Sequence, residues 1–280
     1  MSSNEPVEYV LWSYTPSVAG GVIASLVFCA LFLFHSWRLF RTKLWFCTPF
    51  VVGALFETIG YAARAAAAND SESITPYVIQ SLLILLAPIL FAASIYMILG
   101  RLIRMVEGER YSMVRVKWLT KIFVSGDVLC FLMQSTGGGL MAKAENQDNV
   151  DMAENIILGG LVLQILIFGF FVVVASVFHK RLAHNPTPAS YDMNWKRFML
   201  ALYTVSALIT ARNFARCVEY GMGKEGYLLQ NEWCLYIYDF LLMFICLIVS
   251  IIWYKLSAQD TRVRGNNMHS LGQQNYGPNK

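Results

Sequence analysis

The chain has 280 residues, of which 56% are hydrophobic and only 14% charged, with a formal net charge of +4. Soluble domains carry roughly 25% charged residues, so a soluble globule is excluded; disordered chains are poor in apolar residues, so disorder is excluded as well. The six cysteines are too sparse for a small disulfide scaffold and form no C-x-x-C pair of the kind that holds zinc or runs redox chemistry.

A helix needs about 20 residues to cross a hydrocarbon core of ~30 Å, and seven apolar stretches approach or exceed that length. The segment 1–16 carries Glu5 and Glu8 and no basic residue, which predicts a retained anchor rather than a cleavable signal at 17–37. Arg38, Arg41 and Lys43 follow it. The second span, 44–67, holds Glu57 and Arg64, and the connection after it contains Asn69-Asp70-Ser71, which makes Asn69 a candidate glycosylation site. The third, 77–103, holds Gln80 and Pro88, whose missing N–H predicts a kink. A basic stretch from Arg101 to Lys117 leads to the fourth, 118–141, with Asp127, Gln134 and glycines 137–139. An acidic connection containing Lys143 precedes the fifth span, 154–178, which holds Gln164. Lys180, Arg181, Lys196 and Arg197 come before the sixth, 198–218, with Arg212 and Arg216 inside it and Glu219 at its edge. Cys217 and Cys234 flank the last connection, where they either form a disulfide or stay buried as thiols. The seventh, 233–255, carries Tyr236 and Asp239 and is preceded by Glu232; the tail 257–280 is rich in Gly, Asn, Gln and Ser and reads as disordered.

Counted loop by loop, lysine and arginine alternate. Sixteen fall on one face of the membrane, two on the other and four inside spans, which accounts for all 22. Basic residues stay cytoplasmic. The expected fold is therefore an all-α, polytopic seven-helix transmembrane bundle over 17–256, with its N-terminus outside and its C-terminus cytoplasmic. No connection is long enough to form a soluble domain, so function belongs within or between the helices. The basic rim suits anionic lipid headgroups, and nucleic acid is not an expected partner.

The informative side chains are those that hydrocarbon disfavours. A charge at a helix centre costs about 2.5–3.5 kcal/mol on insertion scales, so retained charges face a bundle interior and find partners. Glu57 and Arg64, Asp127 and Gln134, Arg212 and Glu219, and Glu232 and Asp239 are each seven residues apart, two helical turns, so each pair shares a face. With Gln80, Gln164, Arg216 and Tyr236 they predict a hydrated cavity in the outward half of the bundle. Glu57, Asp127, Glu219 and Asp239 outnumber Arg64, Arg212 and Arg216 by one, leaving a carboxylate that can meet an amine. The other reading is that these groups only pair and hold the bundle together.

Several of these residues stand in familiar company. Glu57-Thr58-Ile59-Gly60-Tyr61-Ala62-Ala63-Arg64, Ala87-Pro88 followed by Ala92-Ala93, Tyr96 and Gly100-Arg101, and Asp127 with Gln134 and Gly137 to Gly139 resemble the fungal RTA-like family of lipid-translocating exporters. The resemblance continues through Arg212, Arg216, Glu219, Gly223, Glu232, Tyr236 and Asp239. One departure is Ala215, where the family often has an aromatic residue. The resemblance implies a seven-helix membrane protein of a fungus, in the plasma membrane or an internal one. It implies export of amphiphilic lipids, sphingoid long-chain bases first among them, while porphyrin uptake and toxicant resistance also occur in the family. Glu57, Asp127 and Asp239 would then contact an amine, with Arg64, Arg212 and Arg216 holding those acids charged.

Other functions fit less well. A receptor shares the topology, but the third span lacks an Asp-Arg-Tyr at its inner end and the seventh lacks Asn-Pro-x-x-Tyr. A zinc lipid hydrolase wants three protein ligands around an open position, whereas His35, His179, His184 and His269 all lie at cytoplasmic ends, in loops or in the tail. No phosphate-binding Gly-x-x-x-x-Gly-Lys loop is present. A transporter without cofactor or metal is the expectation.

Overall fold

The computed structural model describes residues 17–68, 74–141, 146–191, 193–222 and 227–255. The N-terminal segment 1–16, Asn69 and the tail 257–280 lie outside the described residues. Among the described residues, seven long helices carry the fold: α1 (Val18–Thr42), α2 (Thr48–Ala67), α3 (Ile74–Met105), α4 (Val116–Met141), α5 (Gln147–His184), α6 (Trp195–Gly221) and α7 (Glu232–Lys255). Six are long and apolar enough to cross a membrane; α4, which carries Lys117, Lys121, Asp127 and Gln134, is not in that set. The chain is a multi-pass membrane protein.

The helices outrun the apolar stretches that announce them. α5 spans 38 residues, about 57 Å at 1.5 Å per residue, nearly twice a hydrocarbon core. Hydropathy marks only the part that lipid touches, whereas polar flanks such as Gln147–Asp151 and Lys180–His184 continue the helix beyond it. Local signals set the ends. Ser17 caps α1 by accepting from the Gly20 N–H at 3.2 Å, and Lys43, at φ 55°, closes its C-terminus with a bond to the Leu39 carbonyl.

Sequential helices pack side by side, and the last turns of α7 return to α1, closing a ring; α3 also reaches α6 across it. His35 of α1 ties this closure, meeting the Tyr254 hydroxyl at 3.0 Å and the Leu247 carbonyl at 3.2 Å. Small residues allow close approach without a hydrophobic driving force between helices. A Cβ on Gly21 would lie 3.0 Å from Ala65, on Gly53 2.5 Å from Phe91, and on Gly60 2.8 Å from Ile84. Gly126, Gly137 and Gly160 do the same between α4 and α5.

The distribution of polarity is the reverse of a soluble protein. Ile23, Leu26 and Leu33 of α1, Leu129 and Leu132 of α4, and Leu166 and Val173 of α5 are exposed, while Glu57, Arg64, Asp127, Arg212 and Asp239 are buried. An apolar exterior around a polar interior is what a lipid solvent selects.

Candidate functional site

α2 and α7 run antiparallel, so the two-turn spacing on each places Glu57 beside Asp239 and Arg64 beside Glu232. The Arg64 guanidinium donates from Nη2 to Glu232 Oε1 at 2.9 Å and lies 5.8 Å from the Tyr236 ring. The same carboxylate accepts the Ser17 backbone N–H at 2.9 and 3.1 Å and the Tyr236 hydroxyl at 3.3 Å. Glu232 thus clasps the start of α1, the end of α2 and the start of α7 together.

Deeper, α6 supplies both cations. Arg212 Nε donates to Asp239 Oδ1 at 2.8 Å, and Arg216 donates to both oxygens of the same carboxylate. Arg216 also reaches Glu219 on its own helix at 2.9 Å. Between Tyr236 and Leu241, α7 opens from an α-helix into a π-helical turn that carries Asp239; such insertions concentrate at functional sites.

Pro88 does something that the expected kink does not describe. α3 continues through it without a break, but the i−4 carbonyl of a proline has no helical N–H to accept. That carbonyl belongs to Ile84, and it accepts Arg212 Nη2 at 3.0 Å. A gap in the backbone ladder of α3 becomes a ligand for an arginine of α6.

Glu57 stands apart within this group. It is fully buried, in electrostatic reach of Asp239, Arg212, Arg216, Tyr61 and Cys246, yet neither carboxylate oxygen has a hydrogen-bond partner. The Tyr61 hydroxyl is likewise buried without one.

Asp127, Gln134 and Gln164 form a second group between α3, α4 and α5. Tyr96, packed among Phe123, Phe168 and Phe171, donates its hydroxyl to Asp127 Oδ2 at 2.7 Å. Two turns along α4, Gln134 Nε2 donates to Gln164 Oε1 at 2.9 Å. Gln80 is buried on α3 with its Oε1 unbonded. The residues expected to line one cavity fall in two clusters, because spacing along a helix fixes which residues share a face but not which neighbour that face meets. Asp239, one of the expected amine contacts, anchors two arginines. Cys217 and Cys234 stay as separate thiols, the latter buried in the main core. Of the glycine run, Gly137 packs against Ile157, while Gly138 and Gly139 have open space around them.

Three contributors escaped the sequence: the Ser17 N–H, the Ile84 carbonyl and Tyr96 as the partner of Asp127. Only the second left a signal, since any helical proline marks a carbonyl four residues back.

The family model described as RTA1 like protein matches residues 50–261, which include both clusters. Protoporphyrin uptake protein 1 of Saccharomyces cerevisiae is 35% identical over 205 residues, covering 71% of this chain and 65% of its own length. Probable lipid transporter atnI of Emericella nidulans is 29% identical over 248 residues, 84% of this chain and 65% of that one. Sphingoid long-chain base transporter RSB1 of Saccharomyces cerevisiae is 23% identical over 274 residues, 85% and 72% of the two chains. The chain spans 65% of the length of several curated relatives that it matches. No solved structure matches it. With more than half of its length inside the family model, and both polar clusters in the matched region, the chain belongs to the RTA1-like family.

Proposed function

We propose that this protein moves amphiphilic lipids across a fungal membrane, the plasma membrane first, and that its substrates carry a cationic amine, as sphingoid long-chain bases do. In this proposal α4 crosses with the other six helices, the N-terminus faces outward and the basic loops face the cytoplasm. The relatives named as lipid and sphingoid-base transporters support the substrate class. A relative of higher identity named for protoporphyrin uptake argues for a site tolerant of the apolar part of its cargo.

Glu57 carries the proposal. A buried carboxylate with two unpartnered oxygens is an unmet acceptor, and an unmet buried acceptor costs about 1–3 kcal/mol or more. A lipid ammonium supplies the missing donor while the alkyl tail stays in hydrocarbon. The Glu232 clasp lies above the site, so the headgroup enters when α1, α2 and α7 part there. No bond is made or broken in such a step, and the protein is not an enzyme in this reading.

The test is reconstitution into vesicles with a fluorescent sphingoid base. Glu57→Gln removes the ionisable group and keeps the shape. An ionic hydrogen bond contributes about 1.5–3 kcal/mol, so lipid release should fall roughly 10- to 100-fold with unchanged thermal stability. Full release by the variant, or no lipid movement by the wild-type protein, overturns the proposal.

A further inference from the structure

The cluster at Asp127 has a different chemistry from the one that holds Glu57. Asp127 is 1% exposed, its Oδ2 accepts the Tyr96 hydroxyl, and its Oδ1 has no partner. Among the described residues, the titratable groups that interact with it are Tyr96 from α3 and Cys130 on its own helix, and no arginine or lysine forms an ion pair with it; α5 faces this region with Phe168, Phe171 and the amide Gln164. A carboxylate buried among aromatic rings with a single hydroxyl donor and no cation is a very costly ion. The same carboxyl bearing a proton is an ordinary buried polar group.

A buried stripe runs from it toward one end of the bundle, polar as far as Gln134 and then closed by Gly137 and by Met141 packed with Ala153, Ile157 and Leu161. Asp127, Cys130, Gln134, Gly137 and Met141 form the buried stripe of α4. Gln134 Nε2 is engaged by Gln164, but its Oε1 is buried and unbonded. An unbonded amide oxygen two turns from the acid is a place for a water molecule or a passing proton. Gly137 and Gly160 hold α4 and α5 close on either side of this amide pair, where side chains would collide with Ile157 and Gln134.

We propose that Asp127 is a proton-binding site, neutral at rest, that exchanges its proton with water at the Met141 end of the bundle past Gln134 and Gln164. The balance is simple: the O–H bond at Oδ1 breaks, the proton passes to water, and the negative charge left on Asp127 is held by the Tyr96 hydroxyl until a proton returns. In the resting state the site therefore holds a carboxylic acid, and its cycle is a means of coupling movement of cargo to a proton gradient. The proton site does not depend on which lipid, if any, the Glu57 cluster accepts.

Infrared difference spectroscopy on the full chain in lipid vesicles reads the proton directly. The wild-type protein should show a buried carboxylic C=O band at neutral pH that disappears on raising the pH. Asp127→Asn should lack the band and Glu57→Gln should keep it. Tyr96→Phe, which leaves the acid in place, should move the band in frequency, a readout that also serves if the Asn variant does not fold. A band unchanged in Asp127→Asn, or unmoved in Tyr96→Phe, overturns the proposal. In the same vesicles an imposed pH gradient should change the rate of sphingoid-base release by the wild-type protein and leave that of Asp127→Asn unaltered; equal responses of the two overturn the coupling. Lipid movement absent from every sample, with the band still assigned to Asp127, would instead overturn the function proposed above and leave the proton site standing.

Discussion

In the α2–α6–α7 cluster, Asp239 is gripped by two arginines, and a third arginine and a backbone N–H fix Glu232 above it. In the α3–α4–α5 cluster, Asp127 has, among the described residues, one tyrosine hydroxyl and no cation. At Asp239 and Glu232 the first arrangement is rigid, because each ion there has a counter-ion and removing either strands the other. The second is poised to change its charge, because nothing there depends on that charge being present. Both lie in one bundle at similar burial, so the difference comes from composition: α6 brings arginines, while α3 and α5 bring aromatic rings and amides.

The largest expected effect tests the rigid side. Arg212→Met leaves Asp239 short of a cation and the Ile84 carbonyl without its donor. Breaking a buried pair from one side costs about 3–5 kcal/mol, which should appear as a large loss of thermal stability in detergent, comparable to the loss from Asp239→Leu. Next comes the glycine seam beside Asp127. A Cβ at Gly137 would fall 2.6 Å from Ile157 and 2.9 Å from the Ala153 carbonyl, so Gly137→Ala should cost about 1–3 kcal/mol by overpacking. Gly138→Ala, with open space around it, should be neutral or gain up to about 1 kcal/mol in helix propensity. Equal effects would place the α4–α5 contact elsewhere. The smallest effect belongs to Asp127→Asn, where an amide replaces an acid that has one hydrogen bond. Its stability should change by no more than about 1 kcal/mol, and a loss as large as that of Arg212→Met would show that Asp127 is held as an ion after all.

Composition alone made the membrane bundle legible, and the seven-residue spacings made the polar stripes legible. The pairing of Arg64 with Glu232 follows from those stripes once α2 and α7 are known to run antiparallel. The rotation of each helix about its axis was not legible. α4 turns Asp127 toward α3 and α5, while α6 turns Arg212 and Arg216 toward α7, and nothing local to those segments says so. The π-helical turn around Asp239 was equally hidden, since Tyr236–Leu241 has no proline or glycine to announce it. Six helices are long and apolar enough to cross a membrane and α4 is not, since Lys117 and Lys121 on its exposed face and Asp127 and Gln134 in its buried stripe all lower its hydropathy.

Pro88 shows how a missing atom can act as a fastener. Most substitutions of a helical proline by alanine relieve a penalty of about 3 kcal/mol, yet here the restored amide would compete with Arg212 for the Ile84 oxygen. Pro88→Ala should therefore fail to raise the melting temperature and should loosen α6 from α3, seen as faster amide exchange around Arg212. An engineer straightening this helix for stability would unhook the guanidinium that keeps two walls of the bundle together.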